Sequence, residues 1–191
     1  MKELDRHYYV NIREIIRVED DNLRNIIASF SCAKNADVEN FFKANAIEFT
    51  KKNQSVTYLV FSKEHGLLAG YFTLAVKPLT ISVSDITSNT QRKKIERICR
   101  LDEASRTYTM SAYLIAQLGR NFADGAERLI SGDYLLEIAL KVIRDLQYMA
   151  GGMVSFVETE NNAKLLNFYQ RNKFHLISTP RNELIQLYRI I

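Results

Sequence analysis

Two stretches of this sequence carry side chains whose types and spacing suit chemistry on a phosphate-bearing ligand. The first runs from Gly125 to Leu136, where a polar loop passes into a helix beginning near Gly132. A helix N-terminus presents unpaired N–H groups and a partial positive charge, which suit an anion. Gly132 has no side chain to hold a phosphate away, and Arg128 can add a charge-assisted contact. The same residues also fit a plain turn with a solvated arginine, and the spacing leaves both readings open. The second stretch pairs Asn162 with Tyr169, seven residues or two helical turns apart, so both can share one face. A phenol beside a departing thiolate can serve as its general acid. Tyr169 also reads as a core aromatic next to Phe168.

Other reactive residue types are scattered. His7, His65 and His175 fall in a tail, a turn and a strand, with no Ser/His/Asp pattern, so each reads as structural. Glu158 and Glu160 at a strand end can relay a proton through water, or be simply solvated. Cys32 and Cys99 have neither metal-ligand spacing nor the setting of a nucleophile, and no metal cluster is visible. Residues 91–100 carry five cations (Arg92, Lys93, Lys94, Arg97, Arg100) against Glu96. Such a face can follow an RNA backbone, but it lacks interleaved aromatics and also reads as solvated.

The elements that must position these groups are legible from periodicity. Residues 8–17 read as a first strand, and Asp20 or Asp21 caps a helix carrying Leu23, Ile26, Ile27 and Phe30. A second helix follows Asn35. Residues 55–76 read as a hairpin turning at Lys63-Glu64-His65-Gly66, with Pro78 ending its second strand. Residues 79–89 read as loop or short strand, and 90–101 as a basic helix on Ile95, Ile98 and Cys99. Residues 111–122 form a buried central strand. The clearest helix places Leu135, Ala139, Val142, Leu146 and Met149 on one stripe and stops at Gly151-Gly152. A strand from Met153 to Val157, a short helix capped by Asn161 or Asn162, and strands over 174–177 and 184–190 close the chain, with the turn 178–182 between the last two. A long helix between two buried strands is a βαβ crossover, so part of the sheet is expected to be parallel. The fold class is mixed α/β.

The 191 residues suit one domain, and 47% hydrophobic with 25% charged residues suits a globular core rather than disorder. The two cysteines and the lack of an apolar leader lead us to expect a reduced, cytoplasmic protein. Its net charge of +4 mildly favours anionic partners, such as a phosphate-rich cofactor or nucleic acid, and fits a plain, slightly basic soluble protein equally well.

The order of elements resembles the GNAT fold of N-acetyltransferases. The best match is residues 135–174, ending in Glu-Thr-Glu-Asn-Asn-Ala-Lys-Leu-Leu-Asn-Phe-Tyr-Gln-Arg-Asn-Lys-Phe (158–174). This is similar to that family's closing motif of asparagine, short helix, Phe-Tyr and a turn to phenylalanine. The N-terminal half resembles one branch, the GNAT toxins of toxin–antitoxin pairs, through Phe30-Ser31-Cys32, residues 38–42, Thr57-Tyr58-Leu59-Val60, residues 69–75 and Gln117-Leu118-Gly119-Arg120. The likeness omits residues 79–105, an inserted basic helix. It implies a single domain over residues 1–191 with a central mixed sheet of about seven strands, flanked by helices and splayed between its two middle strands.

For function, the resemblance implies acetyl-CoA as cosubstrate and no metal. The strand end at Asn121 and Phe122 would meet the pantetheine. Arg128, Leu129, Ile130, Ser131, Gly132 and Asp133 would hold the pyrophosphate, Asn162 would contact the cofactor, and Tyr169 would be the general acid of a direct transfer. The family loop reads Gln/Arg-x-x-Gly-x-Gly/Ala; of it only Gly132 clearly survives here, with Ile130 in a glycine's place and Asp133 adding a negative charge. The branch acetylates the α-amine of aminoacyl-tRNA and is neutralised by a small antitoxin protein; homodimers are common. The alternatives are acetylation of a small-molecule or protein amine, and a non-catalytic binding module with a degenerate loop.

Overall fold

The computed structural model describes residues 6–18, 22–86, 88–177 and 184–191. The expected cap at Asp20 or Asp21 and the turn 178–182 lie outside them. Seven strands form one open mixed sheet in the order β1-β2-β3-β4-β5-β7-β6. They are β1 (His7–Asn11), β2 (Val56–Ser62), β3 (Leu68–Ser82), β4 (Thr107–Arg120), β5 (Val154–Glu160), β6 (His175–Leu176) and β7 (Leu184–Ile190). Pairing is antiparallel for β1/β2, β2/β3, β5/β7 and β6/β7, and parallel for β4/β5. The parallel β4/β5 ladder covers Ala112–Leu114 against Val154–Phe156. β5 goes on to Glu160, paired with β7 as far as Leu184.

The chain divides into two compact units, residues 1–75 with 116–142, and residues 76–115 with 143–191. The first holds β1, β2, the start of β3, the end of β4 and the helices α1 (Ile12–Arg17), α2 (Asn22–Ala28), α3 (Ala36–Asn40) and α4 (Ala46–Lys51). A π turn over Phe41–Asn45 joins α3 to α4. Its core gathers Ile12, Leu23, Ile27, Phe30, Phe42, Leu59 and Tyr71. Phe30, Phe42 and Tyr71 pack ring to ring at 4.3–5.2 Å between centroids. Gly119 on β4 is the residue that lets them close. A Cβ there would lie 2.5 Å from Val38 Cγ1 and 2.8 Å from Tyr71 Cε1. Gly70 serves the crossing of β3 and β4, since its Cβ would lie 2.6 Å from the Gly119 carbonyl oxygen.

The second unit holds the rest of β3, α5 (Asn89–Glu96), the start of β4, the C-terminal part of α6 (Gly132–Ala150), β5, α7 (Ala163–Arg171), β6 and β7. Its core is built on Leu79, Ile81, Ile95, Tyr108, Val154, Phe156, Ile177 and Tyr188. Ile95 of the basic helix is fully buried there, so α5 is a working part of this core. Tyr113 clamps the turn after α6 by donating to the Gly151 carbonyl at 2.6 Å.

Several boundaries differ from the sequence reading. The first strand stops at Asn11, whose Oδ1 accepts from Arg13 N–H and caps α1. Ile12, Ile15 and Ile16 are β-branched but helically spaced. Pro78 does not end β3, which runs to Ser82. The β2 partner register stops at Val56 opposite Leu74, so no ladder hydrogen bond from β2 is asked of position 78. β4 begins at Thr107 and ends at Arg120, leaving Asn121 and Phe122 beyond it. Met149 leaves the α6 stripe and is 72% exposed. Among the described residues no helix is long and apolar enough to cross a membrane.

Candidate functional site

The turn after β4 is fixed by Asn121, which is buried at 4% exposure. Its Oδ1 accepts from Ser31 N–H (3.0 Å) and Ala123 N–H (3.1 Å), and its Nδ2 donates to the Leu68 carbonyl (2.9 Å). The backbone N–H of Asn121 donates to Ala69 and that of Phe122 to Ser31. These two residues, expected as cofactor contacts, have their N–H groups and the Asn121 carboxamide engaged inside the protein. The Phe122 ring carries Lys34 Nζ at 4.8 Å and Arg120 Cζ at 5.1 Å, a cationic setting.

The chain then makes a 3₁₀ turn over Ala123–Arg128 and enters α6 at Gly132. Ser131 caps the helix, its Oγ accepting from Tyr134 N–H at 3.2 Å. Asp133 sits in the first turn of α6, where a carboxylate complements the helix dipole. Ile130 is buried, while Ser131, Asp133 and Arg128 are exposed. Two side chains, one near in sequence and one distant, hold the loop. Arg120 Nη2 donates to the Glu127 carbonyl (2.7 Å), and His7 Nε2 lies 2.9 Å from the Leu129 carbonyl. In a trans peptide the N–H points opposite to the preceding C=O. With the 127 and 129 carbonyls drawn toward Arg120 and His7, the N–H groups of Arg128 and Ile130 face the other way.

His7, read from sequence as part of a tail, is the first residue of β1 and only 9% exposed. His7 was not singled out for the loop because nothing local links it to a residue 122 positions away, and Arg120, seven positions from Glu127, was missed because its target is a carbonyl that any residue supplies.

In the second unit, Asn162 caps α7, its Oδ1 accepting from Lys164 N–H at 2.9 Å. Tyr169 is half-buried on that helix between the rings of Phe168 (5.0 Å) and Phe174 (5.5 Å). Burial pushes its phenol from the ordinary 10 up to about 12, so it stays a proton donor across the physiological range. Glu158 and Glu160 are exposed on β5, and Glu158 accepts from Gln186 Nε2 at 2.8 Å. His175 is held below the usual imidazole range by burial and by Lys94. Cys32 is buried, and desolvation pushes its thiol up; Cys99 Sγ faces the Arg100 and Thr109 carbonyls. Among the described residues no group of three or more His, Cys, Asp or Glu side chains is placed to hold a metal.

No protein-family model matches the sequence, and no curated protein matches it. Solved structures do. AtaT complexed with acetyl-methionyl-tRNAfMet is similar at a TM-score of 0.69 and 15% identity, covering 96% of this chain and 94% of that one. A tyrosine-to-phenylalanine mutant of KacT is similar at 0.66 and 18% identity, covering 95% and 94%. AtaTR bound with AcCoA is similar at 0.62 and 15% identity, covering 97% and 94%. Along nearly its whole length, this chain has the fold of the GNAT toxins of toxin–antitoxin systems.

Proposed function

We propose that the chain is an N-acetyltransferase that moves the acetyl group of acetyl-CoA to a primary amine, and that this amine is the free α-amine of an aminoacyl-tRNA. The observation that carries this reading is the end-to-end likeness to AtaT, seen with an acetylated methionyl-tRNA. The AtaTR structure bound with AcCoA supports the choice of cosubstrate. The chain's own residues fit both parts. The N–H of Ile130, turned away from His7, and the N-terminus of α6 suit a pyrophosphate through backbone, which works whatever the side chains are. A net charge of +4 suits tRNA.

In the proposed reaction the amine lone pair attacks the thioester carbonyl carbon. The C–S bond breaks, and the thiolate takes the Tyr169 proton; the amine's surplus proton passes to water, from which Tyr169 is reprotonated. An α-amine titrates near roughly 7.7–8.0, so a useful fraction is neutral at physiological pH without a strong base. Asn162 would hold the start of α7, and so the placement of Tyr169, through its cap.

The test is incubation of the purified protein with acetyl-CoA and aminoacyl-tRNA, following thiol release and N-acetylated product together. Product with wild type, and roughly 100-fold slower turnover with Tyr169→Phe, is the expected result. Transfer only to small amines or proteins would replace the acceptor. Ile130 and Asp133 favour a second reading, a binding module without catalysis. Calorimetry showing no acetyl-CoA binding at millimolar concentration would establish it against the first. A small antitoxin encoded beside this chain, rescuing growth on co-expression, would support the toxin assignment, and sedimentation would test for a homodimer.

A further inference from the structure

The sheet is open, and β1 is an edge strand. Its bonding pattern is fixed on the β2 side. Arg6 C=O accepts from Lys63 N–H at 2.8 Å, whereas Ser62, opposite His7 in the ladder, donates its N–H to Leu67 at 3.0 Å. In an antiparallel pair, bonded and non-bonded positions alternate. Tyr8 and Val10 therefore bond to β2, while the N–H and C=O groups of His7 and Tyr9 point out from the free edge. Among the described residues no hydrogen-bonding group meets them there. A bare edge is a template for another strand, commonly blunted by lysine, proline or a bulge. His-Tyr-Tyr-Val-Asn of β1 contains neither residue, and its register against β2 is unbroken. Side chains two apart share a face, and the His7 ring packs on Tyr134 of α6 at 5.3 Å, so Tyr9 also lies on the α6 side. A cavity of about 280 Å³ lies there, walled by His7, Tyr9, Tyr134, Ile138, Lys63 and Lys141 among others. This is just below the roughly 300–1,000 Å³ of small-molecule sites, and suits single side chains of a larger ligand. No acid lines it, Glu64 and Glu137 included, and among the described residues neither exposed lysine has an ion pair. A groove between an edge strand and a helix takes extended peptides, whose main chain bonds the edge while alternate side chains fill the groove.

We propose that the free edge of β1 and its groove against α6 dock an extended acidic segment of a partner protein, added to the sheet as a further strand. Its main chain bonds to His7 and Tyr9, an apolar or aromatic side chain enters the cavity, and carboxylates two positions to either side meet Lys63 and Lys141. The charge selects this occupant. A second copy of the chain, paired edge to edge, would set two lysine-rimmed grooves of like sign side by side.

The experiment is calorimetry on the full chain at low ionic strength with the capped peptide Thr-Glu-Thr-Phe-Thr-Glu-Thr. As a strand it puts Phe and both Glu on one face. Its isomer Thr-Thr-Glu-Phe-Glu-Thr-Thr has the same charge but sends Phe and Glu to opposite faces. The first peptide is expected to bind at roughly 100 µM, as a weak, small interface does, and the isomer about tenfold more weakly. Lys63→Glu combined with Lys141→Glu should weaken the first peptide about tenfold or more, because like charge replaces opposite charge at the rim. Lys51→Glu, which alters one exposed charge elsewhere, should change it less than about twofold. Amide exchange followed by NMR should slow on binding at His7 and Tyr9, and not at Tyr8 and Val10, whose N–H groups already bond to β2. The proposal is overturned if the peptide does not bind at about millimolar concentration, if the isomer binds equally well, if the rim variant and Lys51→Glu act alike, or if exchange at His7 and Tyr9 is unchanged. Dimers in sedimentation, with those two amides protected before any peptide is added, would give the edge to a second copy and overturn it as well. Acetyl transfer enters none of these measurements, so the docking site stands or falls independently of the proposed reaction.

Discussion

Replacing Tyr169 by Phe removes one oxygen from a ring packed between Phe168 and Phe174, and the effect is calculable from the phenol's environment. Burial raises its pKa from 10 to about 12. Two units correspond to about 2.7 kcal/mol favouring phenol over phenolate in the folded chain. The folded pKa lies above the unfolded one. This stabilisation is therefore complete below about pH 10 and is lost as pH climbs toward about 12. At about pH 11, midway, linkage puts the loss at about 1.4 kcal/mol. Phenylalanine cannot ionise in either state and escapes it. Urea unfolding of both proteins at about pH 8 and about pH 11 should show the variant gaining about 1.4 kcal/mol on wild type between the two, the other tyrosines cancelling. A difference spectrum during alkaline titration should place this tyrosinate late, near pH 12. In turnover the same shift means no falling limb from this group near pH 10, and a kcat roughly 100-fold lower in the variant with KM nearly unchanged. Equal pH slopes in urea, or a Tyr169 phenolate appearing near pH 10, would refute the assignment of a desolvated proton donor.

Gly70→Ala sets a Cβ 2.6 Å from a backbone oxygen that cannot swing aside, and should cost about 1–3 kcal/mol in urea unfolding; an unchanged midpoint would contradict the close crossing of β3 and β4. Asn121→Ala orphans the Ser31 and Ala123 N–H groups and the Leu68 carbonyl, and should lower stability by roughly 2–4 kcal/mol, read as a fall in Tm. Asn162→Ala should cost about 1 kcal/mol through the lost cap of α7, whereas Asn162→Asp should restore most of it; identical melting of the two variants would count against the capping role.

The elements with a single strong period were legible in the sequence. The α6 stripe apart from Met149, the helix start after Asn35, Asn162 of the two caps offered for α7 and the β7 span lie where local patterning puts them. The first strand was read too long because Ile12, Ile15 and Ile16 favour strands by type while their spacing, with Asn11 as cap, fits a helix. Pro78 misled because its tolerance depends on where the neighbouring strand stops, a tertiary fact. At the candidate site, the loop, α6 start and Tyr169 were visible as a pattern. What escaped was the holding of the loop. Arg120 and His7 act on carbonyls that any residue supplies, so their targets leave no mark in the sequence. The partners of the Asn121 side chain, Ser31 and Leu68, lie 90 and 53 positions away and left no local mark either.

Such long reaches bear on how the chain is made. Neither compact unit is continuous in sequence, since the first needs residues 116–142 to close around 1–75. A ribosome must therefore release the chain through Leu129 before the Gly119 crossing, the Asn121 clamp and the His7 contact can all form, and through residue 142 before the unit is whole. Folding should be late and slow, as expected where contacts join distant positions. A chain cut short before that point has no finished core and no loop held for a ligand. Prematurely terminated copies should thus be inert and readily degraded, an inbuilt safeguard for any protein whose activity would be harmful to the cell that makes it.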